Sequence, residues 1–415
     1  MIIKEIITEF ADEAAFLWHR RTRAVTAPHF SLEDLVKLDE RLEAHIDGLR
    51  VAGEAGWATC EISLGSEMPE EYFASSVLAI ESGIKTRILA VLDAIGEDPT
   101  KARALISAFG WLPYEQAEPH ISNLLSSASP FHRYIGIAAS AVHRRDPGHH
   151  LDQALKDNDP LLTARALRAY GELGREIKLN NFGLRNYLTD DDDGIRFSTA
   201  WSAALAGNSE AVEVLKNFVA PKSAYGEKAL NLVLRRMEQT SALSFQKKLA
   251  QSPGTLRLAV EGAGIIGDTF LVPWLIEQMM IPSLARVAGE AFTMITGADI
   301  DHEELRGTLP EGINAGPNDD PNDSNVDPDA DGDLPWPNGE SVTRWWDKNK
   351  GAFPGGTRHL LGVPISVDQL RHVLKTGHQR QRSAAALELA ISEPGQPLFE
   401  VRAPGFRQSR EVANL

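Results

Sequence analysis

The chain has 415 residues, 43% of them apolar, which is ample for a packed core and for several domains. Acidic residues outnumber Lys plus Arg by 58 to 42, a formal charge of −16 that argues against binding a nucleic-acid backbone through a broad basic face. One cysteine, Cys60, excludes a disulfide framework and a multi-cysteine zinc site.

The first ten residues carry Lys4, Glu5 and Glu9 and no apolar stretch of the kind a secretory signal needs. No later run reaches the roughly 18 apolar residues of a membrane helix, so a cytoplasmic protein without a membrane partner is expected. Residues 1–95 read as an N-terminal helical cap. Phe16, Leu17 and Trp18 lie in an amphipathic helix closed by His19, Arg20, Arg21 and Arg23. Ser31 with Asp34 predicts a capping box for a long helix over 32–50, whose Leu32, Leu35, Leu38, Leu42, Ile46 and Leu49 keep one face. A further helical stretch is expected over 72–92.

A repeat organises residues 96–300. Asp98-Pro99, Ser129-Pro130, Asp159-Pro160, Asp192-Asp193, Ala220-Pro221, Ser252-Pro253 and Ile281-Pro282 recur at steps of 28 to 33 residues. Asp or Ser before Pro supplies an N-cap and an N1 proline. An Ala- and Leu-rich first helix follows, with Arg103, Arg165, Arg257 or Arg286 in its opening turns, and Gly110, Gly174, Gly207 and Gly267 are expected to stop it. A second helix carries its own apolar stripe. Two short helices cannot bury their faces alone, so successive hairpins must stack. The fold class expected is all-α: a HEAT-like α-solenoid with an N-terminal helical cap and a C-terminal insertion.

Residues 301–333 read as an acidic, mobile loop, with seven aspartates and no Lys or Arg between 318 and 333. Residues 334–415 read as a segment rich in Trp (Trp336, Trp345, Trp346) and a final helix pair over 365–378 and 380–391. No element is assigned from Glu393 onward.

Three blocks, FLWHRR…PHFSLEDLVKLDERLEAHIDGLRVAG over 16–53, AFTMITGADI over 291–300 and DPDADGDLPWPNGESVTRWWDKNKGAFPGGTRHLLGVP over 327–364, resemble a bacterial HEAT-like repeat family often encoded beside type VI secretion genes. The resemblance implies an intracellular accessory role in effector handling or immunity. It brings no catalytic motif.

The residues themselves show no phosphate loop, nucleophile elbow or H-E-x-x-H. His-Glu occurs once, at His302-Glu303, which removes a di-iron reading built on repeated His-Glu pairs. Neither a catalytic residue nor a cofactor is assigned. Asp327, Asp329, Asp331 and Asp333 match the first half of a calcium loop, but position 12 is Asn338 where a bidentate Glu is needed. His143, His149 and His150 are expected in an exposed turn. Arg20, Arg21, Arg23, Trp345 and Trp346 are the weak candidates for partner contacts: helix-end solvation accounts for the arginines at least as well, and packing of the C-terminal piece onto the last repeats is the better account of the tryptophans. The function expected is a non-enzymatic protein-binding scaffold: a type VI effector adaptor, chaperone or immunity protein whose partner is a basic effector or toxin domain. The alternatives are an enzyme with its site in 301–364 and a calcium-modulated binder.

Overall fold

The computed structural model describes residues 3–177, 181–310 and 329–414. Among the described residues, 22 α-helices are accompanied by one two-stranded hairpin, so the fold is all-α and repeat-built. The chain divides into two compact units, one from residues 1–206, 375–379 and 393–415 and the other from 207–374 and 380–392. The expected repeat run of 96–300 is thereby shared between two units.

Unit 1 opens with α1 (Lys4–Ala24), α2 (Leu32–Ala52) and α3 (Glu54–Ser63). The Ser31–Asp34 capping box is present at the start of α2. The stretch expected as one helix over 72–92 is two, α4 (Tyr72–Ser82) and α5 (Lys85–Ile95), because Gly83 turns left-handed at φ 63° between them. Then come α6 (Pro99–Trp111), α7 (Tyr114–Leu125), α8 (Pro130–Val142), α9 (His149–Ala154), α10 (Pro160–Glu172), α11 (Asn181–Leu188) and α12 (Asp193–Leu205). Helices α4, α6, α8, α10 and α12 pack side by side as a first layer, and α5, α7, α9 and α11 pack against them as a second. Asp98, Ser129, Asp159 and Asp192 each accept a backbone N–H at the start of their helix, as the Asp/Ser-Pro pattern requires.

Gly110 does not stop α6. It lies inside the helix, where an added Cβ would sit 3.2 Å from Val142 of α8. The other three expected stops hold: Gly174 and Gly207 follow α10 and α12, and Gly267 ends the helix over Leu256–Ile266, all with positive φ. Small residues recur eleven positions after five of the seven start markers, at Gly110, Ala141, Gly171, Ala204 and Gly264, and let first helices approach closely, while Leu232 and Thr293 stand at the other two.

The core of unit 1 runs along an aromatic series. Trp18 stacks on Phe73 at 5.7 Å, Phe73 meets Trp111 edge-on at 5.5 Å, and Trp111 meets Phe406 at 5.4 Å. Phe406 belongs to the last helix of the chain, numbered α22 below, which sequence reading left unassigned. Residues 396–404 reach it as an irregular strap: the Leu398 N–H donates to the Glu172 carbonyl, and the Gly405 N–H donates to Asp39, which is fully buried on α2.

Unit 2 contains α13 (Ser209–Lys216), α14 (Gly226–Arg236), α15 (Gln239–Leu249), α16 (Leu256–Ile266), α17 (Val272–Gln278) and α18 (Pro282–Thr296). Helices α14, α16 and α18 form its first layer. Pro221 and Pro253, expected to open helices, sit in turns ahead of α14 and α16, which have no side-chain cap. Next are α19 (Gly339–Asn349), the hairpin β1 (His359–Leu360) with β2 (Val363–Pro364), α20 (Val367–Thr376) and α21 (Gln379–Ser392). These last two match the expected final helix pair. Buried Glu388 of α21 takes Arg235 of α14 at 3.1 Å and also Arg358, a three-member ion cluster inside the unit. The chain ends in unit 1 with α22 (Gly405–Ala413).

Candidate functional site

Unit 1 presents two kinds of helical surface. Its first helices carry arginines in their opening turns, Arg103 on α6, Arg133 on α8, Arg165 on α10 and Arg196 on α12, and α10 carries Arg168 further along. Two of these brace the turn ahead of their own helix. Arg133 donates to the Ser127 and Ala128 carbonyls at 2.8 Å and pairs with Asp157, while Arg196 holds Asp193 and the Asp190 carbonyl. Arg165 and Arg168 share Glu172, and the Arg168 guanidinium lies 3.2 Å from the centroid of the Trp201 ring. Burial pushes the Glu172 carboxyl upward, but the Arg165, Arg168 and Arg144 charges outweigh it and hold it well below the usual range. Burial also brings Arg168 down to about 10.

Two of the second helices, α7 and α9, differ, whereas α5 carries Lys85 and Arg87 and α11 carries Arg185. Exposed Glu115 and Glu118 on α7 and Asp152 on α9 face solvent, and neither helix holds a Lys or Arg. A surface pocket of about 420 Å³ lies where the α7–α8 turn meets α9, lined by Leu125, Ser127, Arg133, His150, Gln153 and Asp157. Its charged pair, Arg133 with Asp157, is already matched internally.

The candidate partner residues of α1 separate. Arg20 and Arg23 are exposed, with Arg20 over the Phe16 ring at 5.9 Å. Arg21 is turned inward. Its Nε donates to Asp39 at 2.6 Å and its Nη2 donates to the carbonyls of Arg402 and Ala403, so it fastens the strap. Trp345 and Trp346 on α19 are half-buried. Trp345 meets Phe292 of α18 edge-on at 5.5 Å and donates its indole N–H to Glu303, and Trp346 packs on Phe353. Trp345 thus attaches the insertion to the last repeat helix of unit 2, and Trp346 packs within the insertion.

Of the calcium candidates, Asp327 lies outside the described residues. Asp331 is only 7% exposed, and both of its oxygens accept from Arg257, at 2.7 and 2.8 Å. Asp329 accepts from both ends of Arg286, whose guanidinium lies over the Trp336 ring at 4.8 Å. Asp333 is exposed, and Asn338 spends its side-chain oxygen on the Ser341 N–H at the start of α19. The acidic segment, expected as mobile throughout, is therefore fastened at 329 and 331 by two of the repeat arginines. Lone acids in a charged stretch gave no sign of this pairing, because the arginines lie more than forty residues away in sequence.

His143 is not in an exposed turn. It ends α8 as a half-buried ring that contacts the Phe109 carbonyl and Arg407. His149 and His150 open α9 with ring centroids 4.1 Å apart. Among the described residues, no three or more His, Cys, Asp or Glu side chains are gathered so as to hold a metal ion, and no helix is long and apolar enough to cross a membrane. The residues that sequence reading missed are Asp39, Glu400 and Arg407; only their partners in the folded chain give them a role. No protein-family model matches this chain, and no curated protein sequence is similar to it.

Proposed function

We propose that this chain is a non-enzymatic protein-binding scaffold. The observation that supports this reading is the layering of α4 to α12 in unit 1, which sets charged side chains in rows along helix faces. Stacked helices of this kind bind through area gathered over several repeats. The acidic residues of α7 and α9 and the chain's charge of −16 suit a basic partner domain, with fast and salt-sensitive association. The family resemblance narrows the proposal to a cytoplasmic accessory of type VI secretion, either an effector adaptor or chaperone or a cognate immunity protein.

The test is co-expression with the product of each neighbouring gene, followed by size-exclusion chromatography at low and high salt. A one-to-one complex is expected with a basic effector domain, weakened by salt and by Glu115→Lys with Glu118→Lys. Immunity would be marked by relief of toxicity, and an adaptor by additional binding to a secreted spike component. If no neighbouring product co-elutes at low salt, the scaffold reading fails.

A further inference from the structure

Helix α1 has two faces of different kinds. Ile7, Ala11, Ala14, Ala15, Leu17 and Trp18 are buried in unit 1. The opposite face carries Glu9, Asp12, Phe16, Arg20 and Arg23, all exposed. Phe16 is the midpoint of this stripe: Asp12 and Arg20 stand four residues from it, and Glu9 and Arg23 seven. Positions so spaced share one side of a helix. Both charges before the ring are negative and both after it are positive. At the rise of an α-helix the inner pair lies about 6 Å from Phe16 along the axis and the outer pair about 10.5 Å.

None of these four charged side chains takes part in an ion pair among the described residues, and Arg20 leans over the Phe16 ring at 5.9 Å. His19, the other cation nearby, turns aside to Glu70 at 3.4 Å. The helix dipole acts within the first and last turns, so it accounts for Arg23 and not for Glu9, Asp12 or Arg20. Nor does solvation explain Phe16, which is 54% exposed at the centre of a charged face.

A contact between two copies about a two-fold axis must be self-complementary, with residue i on j and j on i. Laid antiparallel with the axis at Phe16, a second α1 satisfies that condition. Each Phe16 then meets Phe16 of the copy. Each Asp12 comes level with Arg20 of the copy and each Glu9 with Arg23, within reach of the long arginine side chains. A parallel copy would set every acid against itself and every base against itself. We propose that α1 is the surface through which two copies of this chain associate, antiparallel about Phe16. Exposed ion pairs are individually weak, and one helix on another covers less area than a permanent interface needs, so the dimer forms and parts with concentration. It uses none of the acids of α7 and α9, which leaves one partner domain per chain as the expected stoichiometry.

Sedimentation equilibrium of the full chain, over a series of loading concentrations at low salt, should show monomer and dimer in exchange, with high salt favouring monomer. Phe16→Glu sets two carboxylates together on the axis and should weaken the dimer by roughly tenfold or more. Two double variants decide the pairing: Arg20→Glu with Arg23→Glu, and Glu9→Arg with Asp12→Arg. Each alone opposes like charges and should stay monomeric, while their one-to-one mixture should dimerise as the unaltered chain does. Both keep a formal charge within four units of −16, so net charge does not draw them together. The substituted positions are all exposed, and circular dichroism verifies that the fold is kept. A chain that is monomeric at every concentration, a dimer indifferent to Phe16→Glu, or a mixture of the folded double variants that stays monomeric would each overturn the proposal. None of these outcomes touches the scaffold reading, which is decided by co-elution with a neighbouring product.

Discussion

His143 shows how one side chain can couple remote parts of unit 1 to pH. Arg407 can only donate, so Nδ1, 3.1 Å from Arg407 Nη1, must accept, and Nε2 carries the proton given to the Phe109 carbonyl at 2.7 Å. The ring is therefore neutral in the fold. Burial, reinforced by the Arg407 charge, lowers its pKa from 6.5 to about 4. Between those values the unfolded chain binds the proton and the folded chain does not, so stability rises with pH across that window. The contribution is complete above pH 6.5 and is lost progressively as pH falls towards 4, by up to roughly 3 kcal/mol at 1.36 kcal/mol per unit. Urea midpoints measured at both ends of the window should show this loss, and His143→Gln should flatten it. An equal slope in the variant would place the acid sensitivity elsewhere. The sequence placed His143 in an exposed turn because its neighbours, Arg144, Arg145 and Asp146, are polar. Its true partner lies 264 residues away.

At the scale of the helices, far more could be read in advance. Asp98, Ser129, Asp159 and Asp192 act as caps where local chemistry predicts, since a cap needs only residues two or three positions along the chain. Pro221 and Pro253 mislead because proline is as much at home in a turn as at a helix start. Gly110 misleads for a different reason. Its register is set by contact with the next first helix, and a glycine near a helix end looks the same in sequence whether it terminates or packs. Gly171 is the sharpest case. An added Cβ would lie 2.6 Å from Ser202 Oγ, 2.7 Å from the Trp201 ring and 2.9 Å from Ser202 Cα, all on α12. Gly171→Ala should therefore destabilise by about 1–3 kcal/mol through overpacking, in spite of alanine's better helix propensity. Gly351→Ala, where nothing lies within 4 Å, is the control and should stay within about 0.5 kcal/mol. Equal melting temperatures for the two variants would mean that α10 and α12 can separate without cost.

At the scale of the molecule, the unassigned tail changes how unit 1 is closed. A solenoid normally seals its ends with atypical units, and α1 to α3 do so here at the start of the chain. Residues 393–415 add a second closure. They bury Val401, Ala403, Pro404, Gln408 and Val412 and place Phe406 against Trp111. They also satisfy Asp39 through the Gly405 N–H, Arg21 through the Arg402 and Ala403 carbonyls, and Arg144 through Glu400. None of this was legible, because a Pro- and Gly-rich segment shows no period and its value lies in backbone groups that meet distant side chains. Ending the chain after Ser392 would strip these partners from Asp39, Arg21 and Arg144 together. Breaking one buried charged network costs about 3–5 kcal/mol, which for a unit of this size lowers the melting temperature by roughly 10 °C. The segment holds three acidic and three basic residues, so its removal leaves the formal charge at −16 and any loss is not a change in self-repulsion. The measurement is a thermal melt followed in the near-ultraviolet, where the stacked Trp18 and edge-on Trp111 give the signal. A truncated chain melting within roughly 2 °C of the full one, with that aromatic signal intact, would show that the strap is an attachment and not part of the unit it lies on.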